Sequence, residues 1–132
     1  MHTIKTFIVE DSKVVCDNLT SALEALVQVK VVGVAEDELG AVAWLADQKN
    51  EAELVIVDIF LKQGDGLSVL RAARSSQRGR SLVVLSNYAT PDMRAKCSEL
   101  GADEVFDKSN QIDDLIRFCD RLSGNHSIEA AI

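Results

Sequence analysis

The stretch that decides the fold is LVIVDIFLKQGDG at residues 54–66, in which four apolar residues lead directly into Asp58. A short apolar run that is rich in β-branched residues and followed by turn residues is typical of a strand buried on both faces of a sheet. Sheets buried on both faces are mostly parallel and carry helices on each side. The stretch therefore predicts a strand of a parallel α/β sheet, with a carboxylate at the carboxyl end of that strand.

Four other apolar runs resemble this one, and each is followed by a stretch with helical periodicity. The five runs lie at residues 5–9, 29–35, 54–57, 82–85 and 104–106. Their starts recur every 22 to 28 residues, which is enough for one strand and one crossover helix. The sequence therefore predicts an α/β fold of the doubly wound, flavodoxin-like class, a five-stranded parallel sheet in the order 2-1-3-4-5 with five helices in three layers.

Residues typical of helix ends support the predicted alternation. Thr90 followed by Pro91 is typical of an N-cap and a first helical position, and Gly101 is typical of the residue just past a helix end. Asn110 with Asp113 predicts another capped start, that of the last helix. These signals fit a chain of five βα units.

Composition limits both the size of the fold and the class of partner. The chain has 132 residues, of which 47% are hydrophobic, so we expect one domain at 1–123 and a tail at 124–132. Its net charge of −7 repels phosphate backbones and anionic lipid, which predicts no direct nucleic-acid partner. No apolar segment approaches the roughly twenty residues of a membrane span, so we expect no membrane partner and a cytoplasmic protein. Cys16, Cys97 and Cys119 share no metal-type spacing, and reduced thiols are expected.

Polar residues with complementary chemistry follow four of the five predicted strands. Glu10 and Asp11 follow the first, Asp58 the third, Ser86 the fourth and Lys108 the fifth. In an open α/β sheet, ligands bind beyond the carboxyl ends of the strands, where the strand order reverses. We therefore expect these side chains to meet at one edge. Taken singly, Glu10 or Asp11 could instead be the N-cap of the first helix, and Lys108 could be a solvated surface lysine.

The expected cluster has a chemistry of its own. Two like charges about 4 Å apart repel by about 4 kcal/mol at an effective dielectric near 20, so clustered carboxylates call for a cation. Hard oxygen ligands favour Mg²⁺ over Zn²⁺. With a metal present, Asp58 could attack phosphorus while Lys108 and Ser86 stabilise phosphoryl oxygens.

Four motifs give the chain a family resemblance. They are FIVEDS at 7–12, LVIVDIFLKQGDG at 54–66, VVLSNY at 83–88 and GADEVFDKS at 101–109. With these motifs, residues 5–123 resemble the receiver domain of two-component response regulators, and the chain is similar to the single-domain chemotaxis regulators.

The resemblance implies a signalling role and assigns the site residues. Asp58 would accept a phosphoryl group from a phosphohistidine on a sensor histidine kinase or a histidine phosphotransfer protein. Asp11, Asp58 and the backbone carbonyl of Phe60 would bind Mg²⁺, and Glu10 would assist directly or through water. Ser86 and Lys108 would contact the phosphoryl group. The domain would catalyse only its own phosphorylation and dephosphorylation. The face formed by the fourth helix, fifth strand and fifth helix would select a downstream protein target and could join two copies of the chain.

The sequence departs from the family pattern in three places. Val105 occupies the position of the family's switch aromatic, and strand alternation points Phe106 to the opposite face. Ser109 follows Lys108 where the family often has a proline preceded by a cis peptide bond, so either that strained bond is kept or the loop differs. Lys62 replaces another common proline, and only greater loop freedom is expected from it.

Two aromatic residues lie where they could shield a phosphoryl group from water. Phe60 comes two residues after Asp58, and Tyr88 comes two residues after Ser86. Such rings predict slow self-dephosphorylation. The alternative is that both rings simply pack the loops.

Two other functions share parts of this pattern. A phosphatase of the haloacid dehalogenase type also uses an aspartate after an apolar strand, but it needs an acid two residues later, where Phe60 cannot transfer a proton. A receiver-shaped interaction module that works without phosphate is the other alternative. The domain would act alone or as the front piece of a longer regulator.

Overall fold

The computed structural model describes residues 2–76 and 79–124, in which strands and helices alternate strictly. The strands are β1 Ile4–Val9, β2 Val29–Ala35, β3 Leu54–Val57, β4 Ser81–Ser86 and β5 Glu104–Asp107. The helices are α1 Lys13–Leu26, α2 Glu38–Ala46, α3 Gly66–Ser75, α4 Pro91–Glu99 and α5 Ile112–Leu122. The sheet has the order β2-β1-β3-β4-β5 with every pair parallel, so the predicted fold class and strand order are confirmed. Apart from Gly124, the predicted tail at 124–132 lies outside the described residues.

The sheet is covered on both faces, which explains the continuous apolar run of β3. Val55 and Val57 pack on the face covered by α2, α3 and α4, whereas Leu54 and Ile56 pack on the face covered by α1 and α5. All four β3 residues are buried. Because each face needs apolar side chains, strand alternation between apolar and polar residues is lost here.

Three strands are longer than the apolar runs from which they were predicted. β1 begins at Ile4, β4 runs from Ser81 to Ser86 and β5 continues to Asp107. Ser86 pairs with Asp107 in the parallel ladder. The backbone ladder does not need apolar side chains, so its ends cannot be read from hydrophobicity alone.

Most helix ends agree with the sequence. The Thr90 hydroxyl accepts a hydrogen bond from the Met93 amide at 3.2 Å, and Gly101 has a φ of 101° just beyond α4, as expected for a residue without a Cβ. The predicted start at Asn110 is wrong, because the N-cap position of α5 is Gln111. The longest described helix has 14 residues, and no described helix is long and apolar enough to cross a membrane.

The three cysteines are free and buried, in agreement with the expectation of reduced thiols. Burial raises the pKa of the Cys119 thiol to about 12 and also raises the pKa of Cys16 and of Cys97. The thiolate is the reactive form, so these cysteines are packing residues of the core rather than nucleophiles.

Candidate functional site

The carboxyl edge of the sheet brings the predicted acidic residues together. β1 and β3 are neighbours, with Val9 paired to Val57, so the residues that follow them lie side by side. One carboxylate oxygen from each of Glu10, Asp11 and Asp58 lies within 4.8 Å of the others. Glu10 and Asp58 are buried, at 4% and 8% exposure. The fold therefore concentrates negative charge where water can do little to screen it.

Neither of the two acids that follow β1 caps the helix α1. The N-cap of α1 is Ser12, whose hydroxyl accepts a hydrogen bond from the Val15 amide at 3.3 Å. The second oxygen of Glu10 accepts from the Ser12 amide at 3.0 Å. Because a separate residue fills the cap position, the alternative interpretation of Glu10 and Asp11 as N-caps is wrong, and both carboxylates are available to the cluster.

Lys108 supplies the positive charge of the cluster. Its Nζ donates to Asp58 Oδ2 at 3.0 Å and also to Glu10 Oε1, and its side chain is only 15% exposed. Burial by itself lowers the pKa of the Lys108 ammonium, but the hydrogen bonds and charges of the two carboxylates outweigh it and raise the pKa above its usual range. The Lys108 side chain is largely buried and contacts two carboxylates, so the alternative of a solvated surface lysine is wrong.

For Glu10, burial has a larger effect on the pKa than the contacts with its partners do. Burial raises the pKa of its carboxyl, and the hydrogen bonds from Lys108 and from the Ser12 amide only partly offset this rise.

Asp58 is held from two sides, because its Oδ1 accepts from the Phe60 amide at 3.2 Å while its Oδ2 faces Lys108. The Asp58 carboxylate thus has a defined orientation at the end of β3.

Ser86 lies on the neighbouring strand and shares a backbone connection with Lys108. The Lys108 amide donates to the Ser86 carbonyl at 3.0 Å. The Ser86 side chain is fully buried, and its Oγ accepts from the Tyr88 amide at 3.1 Å. A hydroxyl that accepts one hydrogen bond can still donate another. Ser86 is therefore an oriented neutral donor at the same edge of the sheet.

The donor set suits a hard divalent cation. Carboxylate oxygens are the ligands that Mg²⁺ prefers, and the described cluster contains neither a thiol nor an imidazole, which Zn²⁺ favours. The cluster carries three acids against one lysine, so a cation would relieve repulsion that Lys108 alone cannot. The residues present thus fit Mg²⁺.

Comparison with known proteins shows the family of this chain. Residues 6–120 match the family model described as the response regulator receiver domain. The chain belongs to this family. The receiver domain is 31% identical over 105 residues to the transcriptional regulatory protein CusR of Escherichia coli, covering 80% of this chain and 44% of that protein. It is 32% identical over 107 residues to protein-glutamate methylesterase/protein-glutamine glutaminase 2 of Oleidesulfovibrio alaskensis, covering 80% of this chain and 29% of that protein.

Solved structures give the same fold. The receiver domain of the putative response regulator NarL from Mycobacterium tuberculosis matches with a TM-score of 0.78 and 19% identity, covering 94% of this chain and 98% of that one. The response regulator domain of Thermotoga maritima CheB matches with a TM-score of 0.76 and 19% identity, covering 91% and 98%. This chain spans less than half the length of the two sequence relatives described above.

One contact of the receiver domain was not expected from its sequence. The backbone amide of Lys62 donates to Asp11 Oδ2 at 2.7 Å. A proline at this position has no N–H and could not make the bond. The substitution therefore does more than loosen the loop, since it ties the loop after β3 to an acid of the cluster. The missing proline was the available signal, because it leaves a free amide beside the site.

The other departures are also resolved in the structure. Val105 packs on the α2, α3 and α4 face and Phe106 on the α1 and α5 face, so the predicted alternation is confirmed. No cis peptide bond occurs in the described residues, and Lys108 is therefore joined to Ser109 by a trans bond. The Ser109 amide donates instead to Asp107 Oδ1 at 2.8 Å. The loop thus differs from the common family form.

The two aromatic residues near the cluster contact each other. The Phe60 and Tyr88 rings lie 5.1 Å apart at 75°, in an edge-to-face arrangement across the loops after β3 and β4. Both rings are largely exposed, at 50% and 63%. They form an edge-to-face aromatic pair beyond the carboxyl ends of β3 and β4.

Proposed function

We propose that this receiver domain takes a phosphoryl group onto Asp58 from a phosphohistidine of a sensor histidine kinase or histidine phosphotransfer protein. The observation that carries the proposal is the Lys108 ammonium, which bridges Asp58 and Glu10 within a cluster of three carboxylates. That arrangement combines a nucleophile, a metal-type oxygen set and a fixed cation. A haloacid-dehalogenase-type phosphatase is disfavoured because Phe60 offers no acid.

Three of the proposed metal ligands come from the same cluster, and the fourth, a backbone carbonyl, comes from the family resemblance. Glu10, Asp11, Asp58 and the backbone carbonyl of Phe60 would hold Mg²⁺. When bound, the ion neutralises phosphoryl oxygens and helps to orient phosphorus for in-line attack. The Lys62 amide steadies the Asp11 carboxylate at the outer side of the cluster.

The chain's own residues carry the remaining steps. A carboxylate oxygen of Asp58 forms a bond to phosphorus as the bond from phosphorus to the donor imidazole breaks, and the imidazole keeps that electron pair. The Phe60 amide on Asp58 Oδ1 holds the carboxylate in place during attack. Lys108, already 3.0 Å from Asp58 Oδ2, pairs with a phosphoryl oxygen, and the Ser86 hydroxyl donates to another.

The phosphorylated domain signals through protein contacts. We infer that the face formed by α4, β5 and α5 selects a downstream protein target and can join two copies of the chain. The net charge of −7 argues against direct contact of this domain with nucleic acid, whatever a partner or an attached domain does. The reaction would take place in the cytoplasm, and catalysis would be limited to the domain's own phosphorylation and dephosphorylation.

Incubation with acetyl phosphate tests the proposal directly. Intact mass spectrometry should detect one added phosphoryl group in the presence of Mg²⁺, and peptide mapping should assign it to Asp58. Omission of Mg²⁺ with added EDTA should prevent the adduct, and EDTA followed by excess Mg²⁺ should restore it. A protein that stays unmodified with Mg²⁺ would favour the interaction module that works without phosphate.

Phe60→Asn is expected to shorten the lifetime of the phosphorylated domain. Removal of the ring opens the edge of the Phe60 and Tyr88 pair to water, and a faster hydrolysis of about tenfold corresponds to about 1.4 kcal/mol in the barrier. The measurement is the decay of the mass adduct after acetyl phosphate is removed. Leu26→Asn is the matched control, because Leu26 is 64% exposed at the far end of α1. Equal decay rates in wild type and Phe60→Asn would mean that the rings only pack the loops.

A further inference from the structure

Arg94 on α4 joins three other parts of the chain. Its Nε donates to the Ala89 carbonyl at 3.0 Å, its Nη1 to the Val105 carbonyl at 2.6 Å and its Nη2 to Gln111 Oε1 at 2.7 Å. These acceptors belong to the loop after β4, to β5 and to the start of α5. A guanidinium presents its donors in a rigid plane, so one side chain can hold three elements in a fixed relation.

Gln111 continues the network into α5. Its Oε1 also accepts from the Asp107 amide at 2.9 Å, and its Nε2 donates to Asp114 Oδ2 at 3.2 Å. Gln111 occupies the N-cap position of α5 but makes no side-chain cap bond. The Gln111 side chain thus links Arg94 and β5, through Oε1, to Asp114 in α5, through Nε2.

Both ends of the network adjoin the phosphorylation site. Ala89 follows Tyr88, whose amide binds the Ser86 hydroxyl at 3.1 Å. Asp107 precedes Lys108, which contacts Asp58. A shift of Ser86 toward a phosphoryl group would pull on the Tyr88 amide and on the carbonyl that Arg94 binds. The same guanidinium would pass that shift to β5 and α5.

Val105 has no aromatic ring whose rotation could link the site to α5. Val105 is buried against the α2, α3 and α4 face and is aliphatic, so it offers no aromatic rotation to report on the site. Its backbone carbonyl, however, is one of the three acceptors of Arg94. The hydrogen-bond network provides a physical link between the site and α5 that does not depend on an aromatic side chain.

We propose that Arg94 is a positioning residue that transmits movement of the loop after Ser86 to β5 and α5 through Ala89, Val105 and Gln111. The inference rests on the proposed function, since phosphorylation supplies the movement. Hydrogen bonds from a charged donor are stronger than neutral ones, which makes the network rigid enough to transmit a displacement. The two arrangements it distinguishes are those before and after Ser86 engages a phosphoryl group.

Hydrogen–deuterium exchange with and without beryllofluoride and Mg²⁺ tests the inference. In wild type, the adduct should slow exchange both in the loop at 86–90 and in α5. In Arg94→Met, the loop should still respond, whereas the response of α5 should fall about fivefold or more. Gln111→Leu removes the oxygen that Arg94 and the Asp107 amide share, so the response of α5 should fall as it does in Arg94→Met. Arg74→Met is the matched control, because Arg74 also binds a backbone carbonyl at α4, that of Glu99 at 3.0 Å, but takes no part in the network.

The outcomes separate the two proposals. An undiminished α5 response in Arg94→Met, or a wild type that binds beryllofluoride without any response in α5, overturns the role of Arg94 while the proposed function stands. A wild type that binds beryllofluoride without a response in the loop also overturns only the inference, whereas a wild type that takes up neither beryllofluoride nor a phosphoryl group refutes the proposed function, and the inference falls with it. Circular dichroism verifies folding. If Arg94→Met does not fold, Arg94→Lys keeps the charge but cannot bind three acceptors in one plane, and the same loss is expected.

Discussion

Asp58→Asn is expected to abolish phosphoryl uptake from acetyl phosphate, leaving the intact mass unchanged. An amide is not nucleophilic enough to attack phosphorus, and Asp58 is the carboxylate held at the end of β3 between the Phe60 amide and Lys108. Asp107→Asn is the matched control. Asp107 also lies at the carboxyl end of a strand, but its oxygen binds Ser109 outside the cluster. The control variant should gain a phosphoryl group from acetyl phosphate as the wild type does.

Asp58→Asn should also bind Mg²⁺ more weakly than the wild type does. A ligand that binds only the folded state at 100 times its Kd stabilises that state by about 2.7 kcal/mol, and Mg²⁺ should raise the Tm of the wild type accordingly. Asp58→Asn removes one of the three carboxylates and should lose most of that rise. A phosphoryl adduct on the Asn variant would instead place the acceptor elsewhere, and an unchanged Mg²⁺ response would remove Asp58 from the ligand set.

Gly66→Ala is expected to lower the free energy of unfolding by about 3 kcal/mol, as measured by chemical denaturation. A Cβ on Gly66 would lie 2.3 Å from the Asp58 carbonyl oxygen and 2.6 Å from the Ile59 Cα. These are backbone atoms of the segment that carries Asp58, the proposed phosphoacceptor, so they cannot rotate away as a side chain could. The Gly66 amide also donates to the Ile59 carbonyl at 3.0 Å. Relief of the clash must separate the start of α3 from the segment that carries Asp58, and Mg²⁺ stabilisation should weaken where Asp58 moves.

Gly40→Ala is the matched control for this loss. Gly40 also lies in the first turn of a helix, but the nearest atom to its added Cβ is a side-chain oxygen of Asp37 at 3.0 Å. Alanine is favoured over glycine inside a helix by up to about 1 kcal/mol, which offsets a small adjustment of that side chain. If both variants lose the same stability, close approach to Asp58 is not what requires glycine at position 66.

Much of the site could be predicted because parallel strands bring their carboxyl ends to one edge. Glu10, Asp58 and Lys108 each follow an apolar run, so their meeting needed only the strand order. The chemistry of three acids and one lysine then pointed to a divalent cation. What could not be predicted was which oxygen each donor binds, since that depends on loop geometry with no periodic signal.

The Arg94 network is the clearest example of a contact that the sequence does not announce. Arg94 lies 17 residues before Gln111, and polar residues on a helix and at a helix start have many solvated alternatives. The prediction of an Asn110 cap failed for the same reason, because Gln111 was drawn into a tertiary contact that no local pattern encodes.

The sequence by itself determined the alternation of strands and helices and the parallel sheet, because burial on two faces imposes a repeating apolar pattern. It also determined which polar side chains lie at the carboxyl edge of the sheet, because they directly follow the strands. Only the tertiary structure decided that Lys62 binds Asp11 through its amide, that Gly66 leaves room for the Asp58 carbonyl, and that Arg94 ties the loop after β4 to α5. Those contacts join backbone groups and distant side chains, and their energies depend on distance and direction in space rather than on spacing along the chain.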